Sequence, residues 1–447
     1  MNRMTWCALV LCALLLLVQS ACAEDFYTEM PPAVRFTQET VVEEAAHRIY
    51  IQRTYPDTVN DDVDAQIRAL VDEMTERNRP SLSLDPVEAA GYLDVGAVVT
   101  RSGESALSFL ALAEVSRDFT RLGVEMTTRV YDMETGRRLS LEDLFDADSG
   151  AWALMAEEIR AQISAYFPGE EPDAAALDAL CAAEAIRSAD FTLSGGRMTL
   201  TYRADAVYTE KKTLLHVQLY YPQIRPLMNA YGQKLTDNSR YRMVALTYDD
   251  GGARNSTRRL LDVMRRYGAS ATFFLVGRTM RNNNDLLCRQ HDSGYSQQSH
   301  TYYHNYPYEL TKESAFEEKR MFAEELASVT GLTPTMMRAP GGNEDFYIRH
   351  EIGYPLIHWS LAGGDSGSDN AQRVSGRVLC NVCDGDVVLM HDTNSLCSVY
   401  TEKILESLTA QGYLCVTVEE LFSDAGAMLG NEVVYFSPYR TGGMRTN

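Results

Sequence analysis

The sequence predicts an α+β region followed by an α/β region, the second built as a parallel sheet or barrel with its site at the carboxyl ends of the strands. Three observations lead there. Apolar strand-like runs alternate regularly with helical stretches in the second half of the chain. A short polar, turn-prone run, 232–240, separates that half from the first and reads as a linker. The 447 residues, 45% of them hydrophobic, suffice for two domains with a core each.

The N-terminus carries Arg3, an apolar run from Ala8 to Val18, and Ala21-Cys22-Ala23 before Glu24. That is the layout of a cleaved secretory signal over residues 1–23, and the run is short for a membrane span. A lipid anchor at Cys22 is the alternative, disfavoured by Gln19.

Residues 24–231 mix both element types. Val63, Ile67, Leu70, Val71 and Met74 recur at helical spacing, as do Leu154, Ile159 and Ile163. Strands are expected at 127–131, 198–202 and 214–219, and a strand, a turn at Gly136 and a helix start over 131–145. His47 and His216 are the only imidazoles here, so chemistry is not expected in this region.

In residues 241–447 strands are expected at 244–247, 271–276, 336–339, 356–361, 387–390 and 414–418, with helices at 256–266, 313–328 and 402–409.

The formal charge of −21 argues against nucleic acid or an anionic membrane as partner, since both reward a basic surface. A glycan tolerates it. Without the signal, six cysteines remain: Cys181, Cys288, Cys380, Cys383, Cys397 and Cys415. Cys380 and Cys383 have the spacing of half a zinc knuckle, a redox pair or a local disulfide; with no second pair at ligand spacing, buried thiols or one local bridge is the simpler reading.

Chemistry concentrates in the second region. Asp249 and Asp250 adjoin at the end of the apolar run Met243–Leu246, and like charges that close repel. In a continuing strand they would face opposite ways, so they share a site only if Gly251-Gly252 stops the strand. Downstream, His300 and His304 stand four apart, which on one helical turn puts both imidazoles on one face. Asp250, His300 and His304 together make a two-histidine, one-carboxylate metal set with positions left open for water. His391 ends another apolar strand and could be a third ligand, a core residue or a general acid, the strand-end position favouring the acid. Arg338 ends a further strand; a buried arginine needs a carboxylate, and Asp249 is the natural one. His291, His350 and His358 read as surface or core.

These motifs, in this order, resemble the NodB-like polysaccharide deacetylases, metal-dependent carbohydrate esterases of a distorted (β/α) barrel fold. Thr247 to Gly251 is similar to the family's first motif, His300 to His304 to its second, Arg338-Ala339-Pro340-Gly341 to its third, Trp359 to Asp365 to its fourth and Leu389-Met390-His391 to its fifth. The resemblance implies Asp249 as base, oriented by Arg338, and His391 as acid, tuned by Asp365. It implies Asp250, His300 and His304 around one divalent ion, zinc being expected and cobalt, manganese or nickel possible. Gly341 would offer an oxyanion N–H, and Leu389 an apolar wall for the acetyl methyl. Departures fall on the cleft: Gly341 stands where a tyrosine is usual, Ala362 where an aspartate is, Ser366 where a tryptophan is, and Tyr248 replaces a phenylalanine.

The run Thr135 to Phe145, with Tyr220-Tyr221-Pro222 later, resembles the extracellular region shared by PdaC-type peptidoglycan deacetylases and RsiV-type anti-sigma factors. That implies an accessory domain and tilts the substrate toward peptidoglycan N-acetylglucosamine or N-acetylmuramic acid. The expectation is a secreted or envelope-associated, monomeric deacetylase with no transmembrane helix once the signal is gone. A weakly catalytic glycan-binding or sensing protein is the alternative, as is a deacetylase of chitin-like oligomers or acetylated xylan.

Overall fold

The computed structural model describes residues 35–44, 48–82, 90–103, 105–117, 120–343 and 352–441. The expected signal at 1–23, His47 and His350 lie outside them.

Strands β1 (Arg35–Glu44), β2 (Arg48–Asp57), β3 (Gly91–Ser102), β4 (Ala106–Arg117) and β5 (Thr120–Asp132) form one sheet in that order. The β2–β3 pair is parallel and the others are antiparallel. Helix α1 (Asp61–Asn78) starts at Asn60, whose side chain accepts from the N–H groups of Asp62 and Val63. Its expected apolar stripe, Val63 to Met74, is buried in one cluster with Leu93, Val95, Phe109 and Ala111 of the sheet. A second core joins helix α2 (Ala151–Ser164) to the antiparallel strands β6 (Phe191–Leu193), β7 (Arg197–Arg203) and β8 (Leu214–Tyr220). Gly136 turns the chain at φ 69, ahead of a short helix at Leu141–Leu144.

The run expected as a linker is partly helical. A helix spans Ala230–Leu235, and Gly232, Leu235 and Thr236 are buried. A Cβ on Gly232 would lie 2.7 Å from the Leu144 carbonyl oxygen, so glycine serves close packing there and not a flexible tether.

The C-terminal sheet runs β11-β10-β9-β14-β13: Ser296–Ser299, Thr272–Leu275, Arg242–Asp250, Asp386–His391 and Leu361–Ala362. All these pairs are parallel, and β15 (Tyr413–Val416) pairs in parallel with the start of β9. Single bridges from Ser299 to Met337 and from Met337 to Leu356 carry the curve on to β12 (Leu356–Ile357), β16 (Val434–Ser437) and β17 (Arg440–Thr441). The result is a distorted barrel whose ladder does not close among the described residues. Helices α3 (Arg254–Met264), α4 (Asn284–Asp292), α5 (Lys312–Thr330), α6 (Ala371–Asn381), α7 (Cys397–Ala410) and α8 (Val418–Asp424) accompany the strands.

Two strand expectations are corrected. The stretch 336–339 contributes only the bridges at Met337. The stretch 356–361 splits because it changes partner: His358 N donates to the Tyr435 carbonyl, and two residues on Ser360 N donates to that of Val387.

All six described cysteines are free thiols, with Cys380 and Cys383 exposed and Cys397 and Cys415 buried. The local bridge considered for Cys380 and Cys383 is absent.

The N-terminal sheets contact the barrel through buried polar groups. Arg289 donates to Asp94 at 3.0 Å, Arg197 donates to the Gly294 carbonyl at 2.6 Å, and Arg121 pairs with Asp292. His291 is a core residue, its Nε2 2.7 Å from the Leu214 carbonyl.

Candidate active site

Alternation along β9 decides where the two aspartates point. Val244, Leu246 and Tyr248 pack outward among the helices, while Met243 and Ala245 face the barrel interior with Phe274, Met336 and Val387. Thr247 and Asp249 continue the inward series. Asp250 would turn away, yet it stands at φ 81, followed by Gly251 at 75 and Gly252 at 83. This left-handed run brings Asp250 round to the same side. The space leaves no alternative to glycine, since a Cβ on Gly252 would lie 2.5 Å from Thr279 Cβ. Gly251 N donates to Asp392 Oδ1 at 2.9 Å and Thr257 Oγ1 to Asp392 Oδ2 at 2.7 Å, so Asp392 pins the turn.

The expected helical turn at His300 to His304 is not there. His300 follows β11, and a loop with Thr301 at φ 64 and His304 at φ 65 carries the chain to His304. The loop curls because Glu318, buried on α5, accepts from the N–H groups of Tyr302 and Tyr303 and from Asn305 Nδ2. The rings still converge, with centroids 5.0 Å apart. His300 Nδ1 lies 2.7 Å from the Arg338 carbonyl, which fixes it as the N–H nitrogen and frees Nε2. Burial pushes the His300 imidazole below its ordinary value, favouring the neutral form that ligates.

Asp250 Oδ1 stands 3.6 Å from His304 Nε2 and 4.0 Å from His300 Nε2. Three such donors within 4.8 Å of one another, with His300 already oriented, fit a divalent cation. A second cluster, His216, His291 and Asp292, has comparable spacing. It brings His216 into an acid–histidine constellation that was not expected, formed with residues of the second region. Asp292 there already pairs with Arg121 and accepts from Leu214 N, and burial lowers both imidazoles, so it reads as a neutral core contact beside an ion pair.

Arg338 lies wholly buried behind the site. Its Nη1 donates to Asp249 Oδ1 at 2.7 Å and to Thr247 Oγ1 at 2.8 Å, its Nε to the Ile357 carbonyl and its Nη2 to that of His358. Every arm is used, so the guanidinium cannot turn away from Asp249.

Across the ladder, His391 is the register partner of Asp249. His391 Nδ1 is 3.1 Å from Asp365 Oδ1, and His391 N and Tyr400 Oη both donate to Asp365 Oδ2 at 2.7 Å. Burial opposes the imidazolium, but the hydrogen bond and charge of Asp365 outweigh it and raise His391 to about 9. Burial likewise opposes the Asp365 carboxylate, and His391 and Tyr400 hold it below its ordinary range nonetheless.

A cavity of about 840 Å³ gathers the set. Asp249, Asp250, His300, His304, Gly341, Asp365, Leu389 and His391 line it, with Arg338 behind. Asp392, Tyr400 and Glu318 were missed by sequence reading. A weak signal existed for two of them: an acid directly after a strand-end histidine, and Glu318 on the buried face of an amphipathic helix.

This constellation can deprotonate a nucleophile at Asp249 and protonate a leaving group at His391 beside a cation site, the requirements of amide or ester hydrolysis. Comparison with known proteins agrees. Residues 236–354 match the family described as polysaccharide deacetylase. The peptidoglycan-N-acetylglucosamine deacetylase PgdA of Listeria monocytogenes is 35% identical over 184 residues, 40% of this chain and 39% of that protein. A peptidoglycan-N-acetylglucosamine deacetylase of Bacillus cereus is 31% identical over 192 residues, 40% of this chain and 88% of that protein. A chitin deacetylase of Colletotrichum lindemuthianum is 31% identical over 200 residues, 41% of this chain and 80% of that protein. The alignment thus spans well under half of PgdA but nearly the whole of the Bacillus cereus protein. With Asp249, His391 and three donors that fit a cation lining one cavity, and with relatives of which four fifths or more is covered, this chain belongs to the polysaccharide deacetylase family.

Proposed function

We propose that this protein removes N-acetyl groups from a cell-wall glycan, peptidoglycan N-acetylglucosamine or N-acetylmuramic acid being the substrate. The observation that carries the reading is the register pairing of Asp249 with His391, each held by its own buried partner, Arg338 and Asp365. A pure binding protein has no use for a restrained base opposite a restrained acid.

Asp250, His300 and His304 would hold one divalent ion, zinc being the expectation. When bound, such an ion polarises the acetyl carbonyl and acidifies water, whose pKa falls to roughly 7 in favourable zinc sites. Asp249 takes the proton of the attacking water, held in place by Arg338. The Gly341 N–H supports the oxyanion that develops on the substrate, and Leu389 walls the acetyl methyl. His391, charged at neutral pH, gives its proton to the departing amine nitrogen.

Residues 24–231 would serve as an accessory domain and 241–447 as the deacetylase domain of a secreted or envelope-associated monomer. Among the described residues no helix is long and apolar enough to cross a membrane.

The test is acetate release from purified peptidoglycan, with and without chelator, compared with Asp249→Asn. Release that chelator and Asp249→Asn each abolish supports the proposal; equal release by the variant sinks the mechanism.

A further inference from the structure

Gly341 and Gly342 both stand in the left-handed region, at φ 64 and 67, and an aromatic ring occupies the space beside each. A Cβ on Gly341 would lie 2.8 Å from Tyr306 Cε1, and one on Gly342 would lie 2.7 Å from Trp359 Cη2. The two glycines therefore do more than turn the chain, because any side chain there would displace a ring. Both rings open onto the cavity that holds Asp250, His300, His304 and His391. Tyr306 is 37% exposed, and Tyr308, 70% exposed, stacks on it with centroids 5.5 Å apart and planes 10° from parallel.

The chemistry around these rings narrows the ligand. Ser366, Ser368 and Asp369 line the same cavity, so apolar ring faces stand among hydroxyls and carboxylates. Asp369 disfavours an anionic group at the rings, and a wholly apolar ligand would strand the polar groups. A neutral pyranose, with an apolar C–H face and a hydroxyl rim, satisfies both.

We propose that Tyr306 and Trp359 form a sugar subsite beside the reacting acetamide, with Tyr308 extending it to the next sugar of the chain. The inference rests on the glycan reading above and assigns specificity to residues outside the acid, the base and the metal donors. It places Tyr306 in the room that Gly341 leaves open, so the absence of a side chain at 341 is compensated from the loop that carries His304.

The competing role for Tyr306 is support of His304, whose ring it meets edge-on with centroids 6.1 Å apart. Steady-state kinetics on the tetramer of N-acetylglucosamine separate the two. Tyr306→Ala is expected to raise KM about tenfold while kcat stays within about twofold. Tyr306→Phe is expected to restore KM, and Tyr306→Leu, bulky but not aromatic, is not. Tyr308→Ala is expected to raise KM for the tetramer more than for the dimer. An unchanged KM in Tyr306→Ala, or a loss of kcat and bound metal at constant KM, would overturn the subsite. If wild-type protein releases no acetate from any glycan, the deacetylase reading fails. Calorimetric binding of the tetramer to wild type and Tyr306→Ala still decides the subsite: weaker binding by the variant upholds it, and equal or undetectable binding by both rejects it.

Discussion

Asp249 Oδ1 accepts from Arg338 Nη1 at 2.7 Å, and the guanidinium that donates is fully buried. Removing either partner leaves the other charged and dry. Arg338→Ala also strands Thr247 Oγ1 and the carbonyls of Ile357 and His358. The expected loss is about 3–5 kcal/mol of stability, read by urea denaturation. Asp249→Asn keeps the shape and one acceptor for Arg338 but leaves the buried guanidinium without a counter-charge. It should therefore also lower the urea midpoint, by less than Arg338→Ala, while acetate release falls at least about a hundredfold.

The proposed metal donors and the proposed base are separable by metal analysis after dialysis. Asp250→Ala, His300→Ala and His304→Ala each remove one of three donors and are expected to leave the protein without stoichiometric zinc. Asp249→Asn is expected to keep it. Retention of zinc by all three donor variants would remove this triad from the candidate ligands.

The pH dependence follows from His391 and Asp365. The His391 pKa is raised to about 9, so the pair's contribution from this side is complete below the ordinary value near 6.5 and lost as pH rises through about 9. Asp365 is lowered, so its contribution is present above about 4 and lost as pH falls through its depressed value. A bound divalent cation would offset the contributions of Asp249 and Asp250 to His391, so the alkaline limb of the metal-loaded protein is expected below about 9. Asp365→Asn removes the charge that raises His391 most, so the alkaline limb of kcat/KM is expected to move to lower pH. A limb that stays put in Asp365→Asn would mean that another group sets it.

Much of this site was legible in the sequence because strand alternation and strand ends are local properties. The order of Thr247, Asp249 and the double glycine announces an inward carboxylate followed by a turn, and apolar runs announce β9 and β14. The spacing of His300 and His304 was read as a helical turn, and that failed for a nonlocal reason. Glu318, which curls the loop, sits on a helix more than a dozen residues downstream, and no spacing rule links them. In the interval 232–240 the polar composition suggests a turn-prone linker throughout, while the chain is helical up to Leu235, where the Leu144 carbonyl packs on Gly232. The bridges at Met337 were expected as a strand because apolar runs cannot reveal a ladder that bends away. Tyr306 entered the cavity unannounced, since its role depends on what Gly341 and Gly342 lack.

Asp392 supplies a final test, of how the turn after Asp249 is held. It is fully buried, accepts from Gly251 N and Thr257 Oγ1, and burial pushes its pKa up to about 7. A carboxyl whose folded pKa lies above its ordinary value near 3.9 favours the fold most below that value, and the contribution is lost as pH rises through about 7. Asp392→Asn has no proton to lose. Its amide oxygen still accepts from Gly251, and its amide nitrogen finds an acceptor in the rotatable Thr257 hydroxyl. Its stability relative to wild type is therefore expected to improve steadily between pH 4 and pH 8, read as urea midpoints along that series. Asp392→Ala offers no acceptor to either donor and should release the left-handed run at Asp250, weakening zinc retention in a way that Asp392→Asn does not. A flat difference between Asp392→Asn and wild type across the series would show that Asp392 is charged throughout, and that burial does not govern it.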